Sequence, residues 1–273
     1  MADGNAPKRV LLRKVLYRID FQFISERMQE NVYSYILEKY GEYFVNRGCE
    51  VTNSYDIEIS APEAPRMNPR PQNIYFLQKP KGKIGDGRNI RIGKTFVFFD
   101  IDLAIESENL PYYEWFSDIV KRLSEEKAFM PMRIGLRKYN TFFVETTKLE
   151  KALSLFAVPY FSVIEQDRLM LDNFHNVQCY NLENYSLNFT RDFSTGILSN
   201  ATMRDQSVHQ ISFDFDLFSN ESSEVEDFCA KAEEKLKEMN DRIYVVFSKF
   251  VAQEVCTKLN EGEMLEEYAV IPY

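Results

Sequence analysis

The sequence predicts an α+β protein in which antiparallel sheets are covered by helices, arranged as two pseudo-repeated β-α-meander-α units of a helix-grip-like kind. Three observations predict it. Apolar and polar residues alternate along Tyr17–Phe23, Phe99–Leu103 and Phe213–Leu217, the period of a half-buried strand. Apolar stripes at helical spacing follow Ser25, Pro111 and Ser223. The order of elements then starts again after residue 128, so the units are expected at 1–128 and 129–273, forming one compact body.

The first element, Val10 to Ile24, places Tyr17, Ile19, Phe21 and Phe23 on one side and Arg18, Asp20 and Gln22 on the other. Ser25 suits the cap of a helix whose stripe is Val32, Tyr33, Ile36, Leu37, Tyr40 and Phe44, ending near Arg47-Gly48. A meander follows, with runs at 50–60, 73–78 and 89–92 punctuated by prolines between Pro62 and Pro71 and by Gly82, Gly85 and Gly87. A strand over 95–106 leads to a helix opened by Asn109-Leu110-Pro111, with Trp115, Phe116, Ile119, Val120 and Leu123 on one face. The second unit opens with a strand from Met130 to Val144 and a short helix over 149–156. An irregular stretch to about Leu182 precedes a strand over 185–193, a turn near Thr195-Gly196, a strand to Met203 and another over 208–218. A long helical segment closes the chain. Ser223 and Glu226 suit a capping box, and Leu236, Met239, Ile243, Val246 and Phe250 form a seam that fits either core packing or a partner interface, with Asn240-Asp241 as a site where one helix ends and another is capped.

With 45% hydrophobic and 27% charged residues the chain is globular, and Cys49, Cys179, Cys229 and Cys256 stand too far apart for a C-x-x-C zinc or redox motif. No secretion signal or membrane span is legible, so a cytoplasmic protein is expected. A net charge of -9 argues against general affinity for nucleic acid or anionic membranes. That charge is unevenly placed. Residues 1–150 carry 23 of the 33 basic and 21 of the 42 acidic residues, and residues 151–273 carry the other 10 and 21.

Four groups invite chemistry. Asp100 with Asp102, and Asp214 with Asp216, lie two apart on strands and so share a face, which would suit Mg²⁺ in a nuclease or phosphotransferase. The apolar residues alternating with them explain the same pattern as the wet side of a sheet, so no metal and no other cofactor is expected. Lys79, Lys81, Lys83, Arg88 and Arg91 with Lys94 make a basic stretch that fits a solvated hairpin or an anion-binding loop, but neither G-x-x-x-x-G-K-[ST] nor G-x-G-x-x-G is present. Arg133 and Arg137, four apart on a strand, share a face and suit ion pairing with carboxylates or an anion-binding groove. His175 and His209 adjoin no G-x-S-x-G motif, so no catalytic residue is assigned.

The strand Val15–Phe23, the Trp115 helix leading into Arg133-Ile134-Gly135-Leu136-Arg137 and ending at Asn140, and the closing Phe247, Val251 and Glu254 resemble a sporadically distributed, functionally uncharacterised bacterial family of about this length. Where that family has Tyr-Ile-Asn after the central motif, this chain has Lys138-Tyr139-Asn140, which moves the aromatic to the other face of the strand. The resemblance implies a bacterial protein of mobile or defence-associated loci and supplies no catalytic residues. The expected function is a non-catalytic binding or interaction module with a protein partner, co-encoded or a second copy in a homodimer. A nucleic-acid or nucleotide sensor built on the 79–94 loop is the first alternative, and the Mg²⁺-dependent enzyme is the second.

Overall fold

A computed structural model describes residues 11–58, 66–80, 86–103, 110–127, 129–161, 172–198, 206–263 and 265–271. The first half contains β1 (Leu12–Phe21), α1 (Glu26–Tyr40), β2 (Asn46–Glu58), β3 (Arg66–Pro80), β4 (Asp86–Ile92), β5 (Phe96–Asp102) and α2 (Tyr112–Ser124). The second contains β6 (Pro131–Glu145), α3 (Leu149–Leu153), β7 (Asn173–Leu182), β8 (Tyr185–Leu198), β9 (Gln206–Ser219), α4 (Ser222–Ala230), α5 (Ala232–Phe250) and α6 (Gln253–Glu261). The nine strands of the described residues join one sheet in the order β2-β3-β4-β5-β1-β6-β9-β8-β7, every pairing antiparallel. Each half brings its last strand back beside its first, and the halves meet where β1 pairs with β6. No described helix is long and apolar enough to cross a membrane.

Alternation decides which face the helices cover. In β5, Val97, Phe99 and Ile101 are buried while Phe96, Phe98, Asp100 and Asp102 are half-buried on the other side. Register carries that division across the sheet. Phe99 lies opposite Tyr17 and Ile90, and Leu136 lies opposite Tyr17 and Leu217. Trp115 of α2 stacks on Phe99 at 6.1 Å and on Tyr40 of α1 at 4.7 Å, so one aromatic pins two helices to the first half. In the second half Phe250 of α5 sits within 5.4 Å of Phe213 and 4.8 Å of Phe189. Gln29 of α1 is fully buried and donates to the carbonyls of Asn73 (2.7 Å) and Ile92 (2.8 Å), fixing the helix to two strands by polar bonds.

Several expectations need correction. The stretch to Leu182 is not irregular throughout, since its last ten residues form β7, and β8 continues through Thr195-Gly196 to Leu198. β7 is an edge strand with mostly exposed side chains, so it carries little alternation to read. α1 stops at Tyr40 and β2 begins at Asn46. Pro69 and Pro71 sit inside β3, where β2 pairs on one side and β4 has not begun, so their missing N–H groups break no ladder on that side.

The terminal segment is three helices, broken at Lys231 and at Val251–Ala252, whereas Asn240 and Asp241 lie inside α5. Ser223 lies within α4 and the Ncap residue Glu221 makes no side-chain cap, so the capping box does not form. Val251 leaves the helix to bridge Phe156, and the Ala252 N–H donates to the Leu155 carbonyl at 2.9 Å.

Candidate functional site

The strand order β5-β1-β6-β9 brings both acidic strand pairs and both arginines onto one face of the sheet, the face opposite Trp115 and Phe250. Acidic strands lie outside and basic strands inside. β5 supplies Asp100 and Asp102, β1 supplies Arg13, Lys14, Arg18 and Asp20, β6 supplies Arg133 and Arg137, and β9 supplies Asp214 and Asp216.

Each carboxylate reaches inward to a cation. Lys14 meets Asp100 at 2.7 Å and Arg13 meets Asp102 at 2.8 Å. Arg18 grips Asp20 through Nε (2.8 Å) and a terminal nitrogen (2.7 Å). Arg133 spans Asp20 (3.3 Å) and Asp216 (3.6 Å) while lying 4.5 Å over the Phe218 ring. Arg137 holds one oxygen of Asp214 through Nε (2.7 Å) and a terminal nitrogen (2.5 Å). Arg133 and Arg137 therefore pair with carboxylates of neighbouring strands.

Three of the five cations stand above the acids they hold, while Arg13 at 13% and Arg133 at 28% lie about level with theirs. Side-chain exposure is 43% for Lys14, 42% for Arg18 and 52% for Arg137, against 18% for Asp100, 15% for Asp102, 21% for Asp20 and 4% for Asp214. The outward surface of the seam is thus cationic although its charges balance in number. Burial raises the Asp214 carboxyl above the ordinary aspartate range despite Arg137, and its Oδ1 is buried without a hydrogen-bond partner. The bond to Asp214 in turn raises Arg137.

The acidic pairs do not converge. Two strands separate β5 from β9, which at sheet spacing puts the pairs about 14 Å apart. Among the described residues no three His, Cys, Asp or Glu side chains gather as metal ligands; Glu106 lies outside them.

The basic stretch is likewise divided. Arg88 is buried at 1% exposure on the helix face, its guanidinium about 6 Å from the Tyr43, Phe44 and Trp115 rings. Arg91, three residues on, faces the other way and pairs with Glu50. Lys79 is half-buried on β3, and Lys81 and Lys83 lie outside the described residues. A solvated loop therefore does not describe Arg88.

The seam on α5 faces inward. Leu236, Met239, Ile243 and Phe250 are buried and Val246 packs against the same core, so this stripe is closed by its own chain instead of being open to a second one.

His175 contacts Asp192 at 2.5 Å, in a polar cleft that Tyr139, Gln210 and Ser212 also line. Register places His175 opposite Asp192 and Asp192 opposite Ser212, so the carboxylate stands between imidazole and hydroxyl, the wrong order for a triad that needs histidine in the middle. Burial lowers the His209 pKa, and its ring bonds Thr195 at 3.0 Å.

Sequence reasoning singled out Arg133, Arg137 and the four aspartates but missed Lys14 as their partner and Lys138 on the opposite face. Alternation in β1 carried the first signal. For the second, adjacency to Arg137 was enough, because neighbours on a strand point to opposite faces. Comparison with protein-family models and with curated proteins gives no match to this chain.

Proposed function

We propose that this chain is a non-catalytic binding protein of a bacterial cytoplasmic system, defence-associated as its family resemblance implies, and that the β1–β6 seam on the polar sheet face is its recognition surface for a protein partner. One observation carries the reading: Lys14, Arg18 and Arg137 project beyond the carboxylates that hold them, so their remaining donors face outward in fixed positions. The sunken aspartates interrupt the positive field, which suits a partner with its own spaced carboxylates better than a uniform polyanion. The return of β5 to β1 and of β9 to β6 supports reading the halves as a pseudo-repeat of helix-grip type, with the seam between them.

A nucleotide or single-stranded nucleic acid is the second reading. It is favoured by Phe96 and Phe98, stacked at 5.8 Å beside Arg18 on this face, because rings beside cations suit bases beside phosphates.

Calorimetric titration of co-encoded neighbours against the wild-type chain and an Arg18→Glu/Arg137→Glu variant tests the proposal, with native mass spectrometry reporting self-association. Salt-sensitive binding of one neighbour, or of a second copy, that is lost in the variant supports it. Binding unchanged in the variant, or binding only of oligonucleotide, overturns it.

A further inference from the structure

The two edges of the sheet are built differently. β2 carries Arg47, Glu50, Asp56 and Glu58 along its length, and such charges keep a sheet edge from pairing with another chain. β7, from Asn173 to Leu182, has no Asp, Glu, Lys, Arg, Pro or Gly, and its register with β8 runs without a bulge. Val177 is 48% and Tyr180 42% exposed there. No described residue pairs with the outer side of this strand. Which backbone groups face outward follows from a bond at its start. The Thr195 N–H donates to the Asp172 carbonyl at 3.0 Å, and in an antiparallel strand the N–H and C=O of one residue point the same way, so the even-numbered residues bond β8. Asn173, His175, Val177, Cys179 and Asn181 therefore present both groups to the outside.

We propose that β7 is the contact of a two-fold homodimer, pairing antiparallel with β7 of a second copy about Val177 so that one sheet runs through both chains. In that register Asn173 meets Asn181, His175 meets Cys179 and Val177 meets its own counterpart at the axis, so every outward group is matched. On the helix face Phe174 meets Tyr180 and Asn176 meets Gln178, an aromatic pair beside a pair of amides. A shift by one residue opposes outward groups to inward ones, and a larger shift leaves outward groups unmatched. Charge selects the occupant. Two copies that each carry -9 repel least where neither strand holds a charge, whereas an acidic or basic segment finds no counter-charge along this edge. The contact lies three strands away from β6 and stands independently of the function proposed for the seam.

Sedimentation velocity between about 1 and 200 μM reads the association. The wild type is expected to dimerise as concentration rises, and the Arg18→Glu/Arg137→Glu chain equally. Val177→Lys and Val177→Glu should each be monomeric, because the axis sets like charges face to face. An equimolar mixture of those two variants should restore a dimer at least about tenfold tighter than either forms alone, since position 177 of one copy meets position 177 of the other. Val177→Pro removes only an outward N–H, so it should abolish the dimer while cooperative unfolding persists. A wild type that stays monomeric throughout the range, a dimer lost in the Arg18→Glu/Arg137→Glu chain, a dimer that survives Val177→Pro or either charged variant, or a mixture that fails to recombine overturns the proposal.

Discussion

Replacing Arg137 with Met removes the cation from a carboxylate whose side chain is only 4% exposed. Asp214 then has two courses: to remain ionised without its partner, or to take up a proton. Protonating an aspartate of ordinary pKa near pH 7 costs about 4 kcal/mol, which caps the loss. Part of that penalty already exists, because burial raises Asp214 in the wild type, and Arg137 itself is half exposed, so we expect a deficit of roughly 1–3 kcal/mol near pH 7. The sign follows from linkage. A carboxyl with a raised folded pKa favours folding in acid, and this contribution fades as pH rises through the folded value; removing Arg137 raises that value further. Near pH 4.5 the cap falls to about 1 kcal/mol, so the deficit should shrink to less than that. Urea unfolding of both proteins at the two pH values, followed by Trp115 fluorescence, measures it. A deficit independent of pH, or one that grows in acid, would refute the argument, as would failure of Asp214→Asn to relieve the variant near pH 7.

Glu224 should show the opposite dependence. Burial pushes its carboxyl up, but Lys235 (2.8 Å), the Tyr185 hydroxyl and Asn184 (3.1 Å) together hold it below the ordinary range. Glu224→Gln should therefore cost about 2–4 kcal/mol near pH 7 and converge on the wild type as pH falls through the folded pKa, as read by thermal unfolding across pH. Gln29→Met removes two donors from buried carbonyls and should cost about 2–3 kcal/mol in urea unfolding, with a loss under about 0.5 kcal/mol counting against a pinning role. Gly93→Ala would place a Cβ 2.6 Å from a Phe96 ring carbon, so it should cost about 1–3 kcal/mol alone and less in a Phe96→Ala background; additive losses in a double-mutant cycle would exclude the clash.

What the sequence made legible was local. Strict alternation in β5 and β9 announced both the strands and the outward face of their aspartates, and the first-half order of elements follows from stripes and breakers alone. What it hid depended on distant partners. Lys14 finds Asp100 across a gap of most of the first half, and Arg137 finds Asp214 only because β9 returns beside β6. A linear count merges Arg88 and Arg91 into one basic patch, whereas an odd spacing on a strand sends them to opposite faces, one into the core. The helix break at Val251 has no breaker residue, because a bridge to Phe156 causes it. β7 escaped notice because an exposed edge strand buries too little to show a period.

The paired charges on the polar face do not account for the stability of the fold. Partly exposed ion pairs contribute about 0–1 kcal/mol each, far less than burying Phe99, Trp115 or Phe250. Their arrangement has another physical consequence. A carboxylate sunk beside a guanidinium uses some of its N–H donors, fixes its direction and leaves the rest pointing outward, which lowers the entropy lost when a partner arrives. Asp20 does this for Arg18 and Asp214 for Arg137, on adjacent strands of the seam. Arg18, whose carboxylate partner is itself shared with Arg133, should accordingly tolerate substitution by Ala with a stability change under about 1 kcal/mol while losing partner affinity. A residue serving only the fold would move both quantities together.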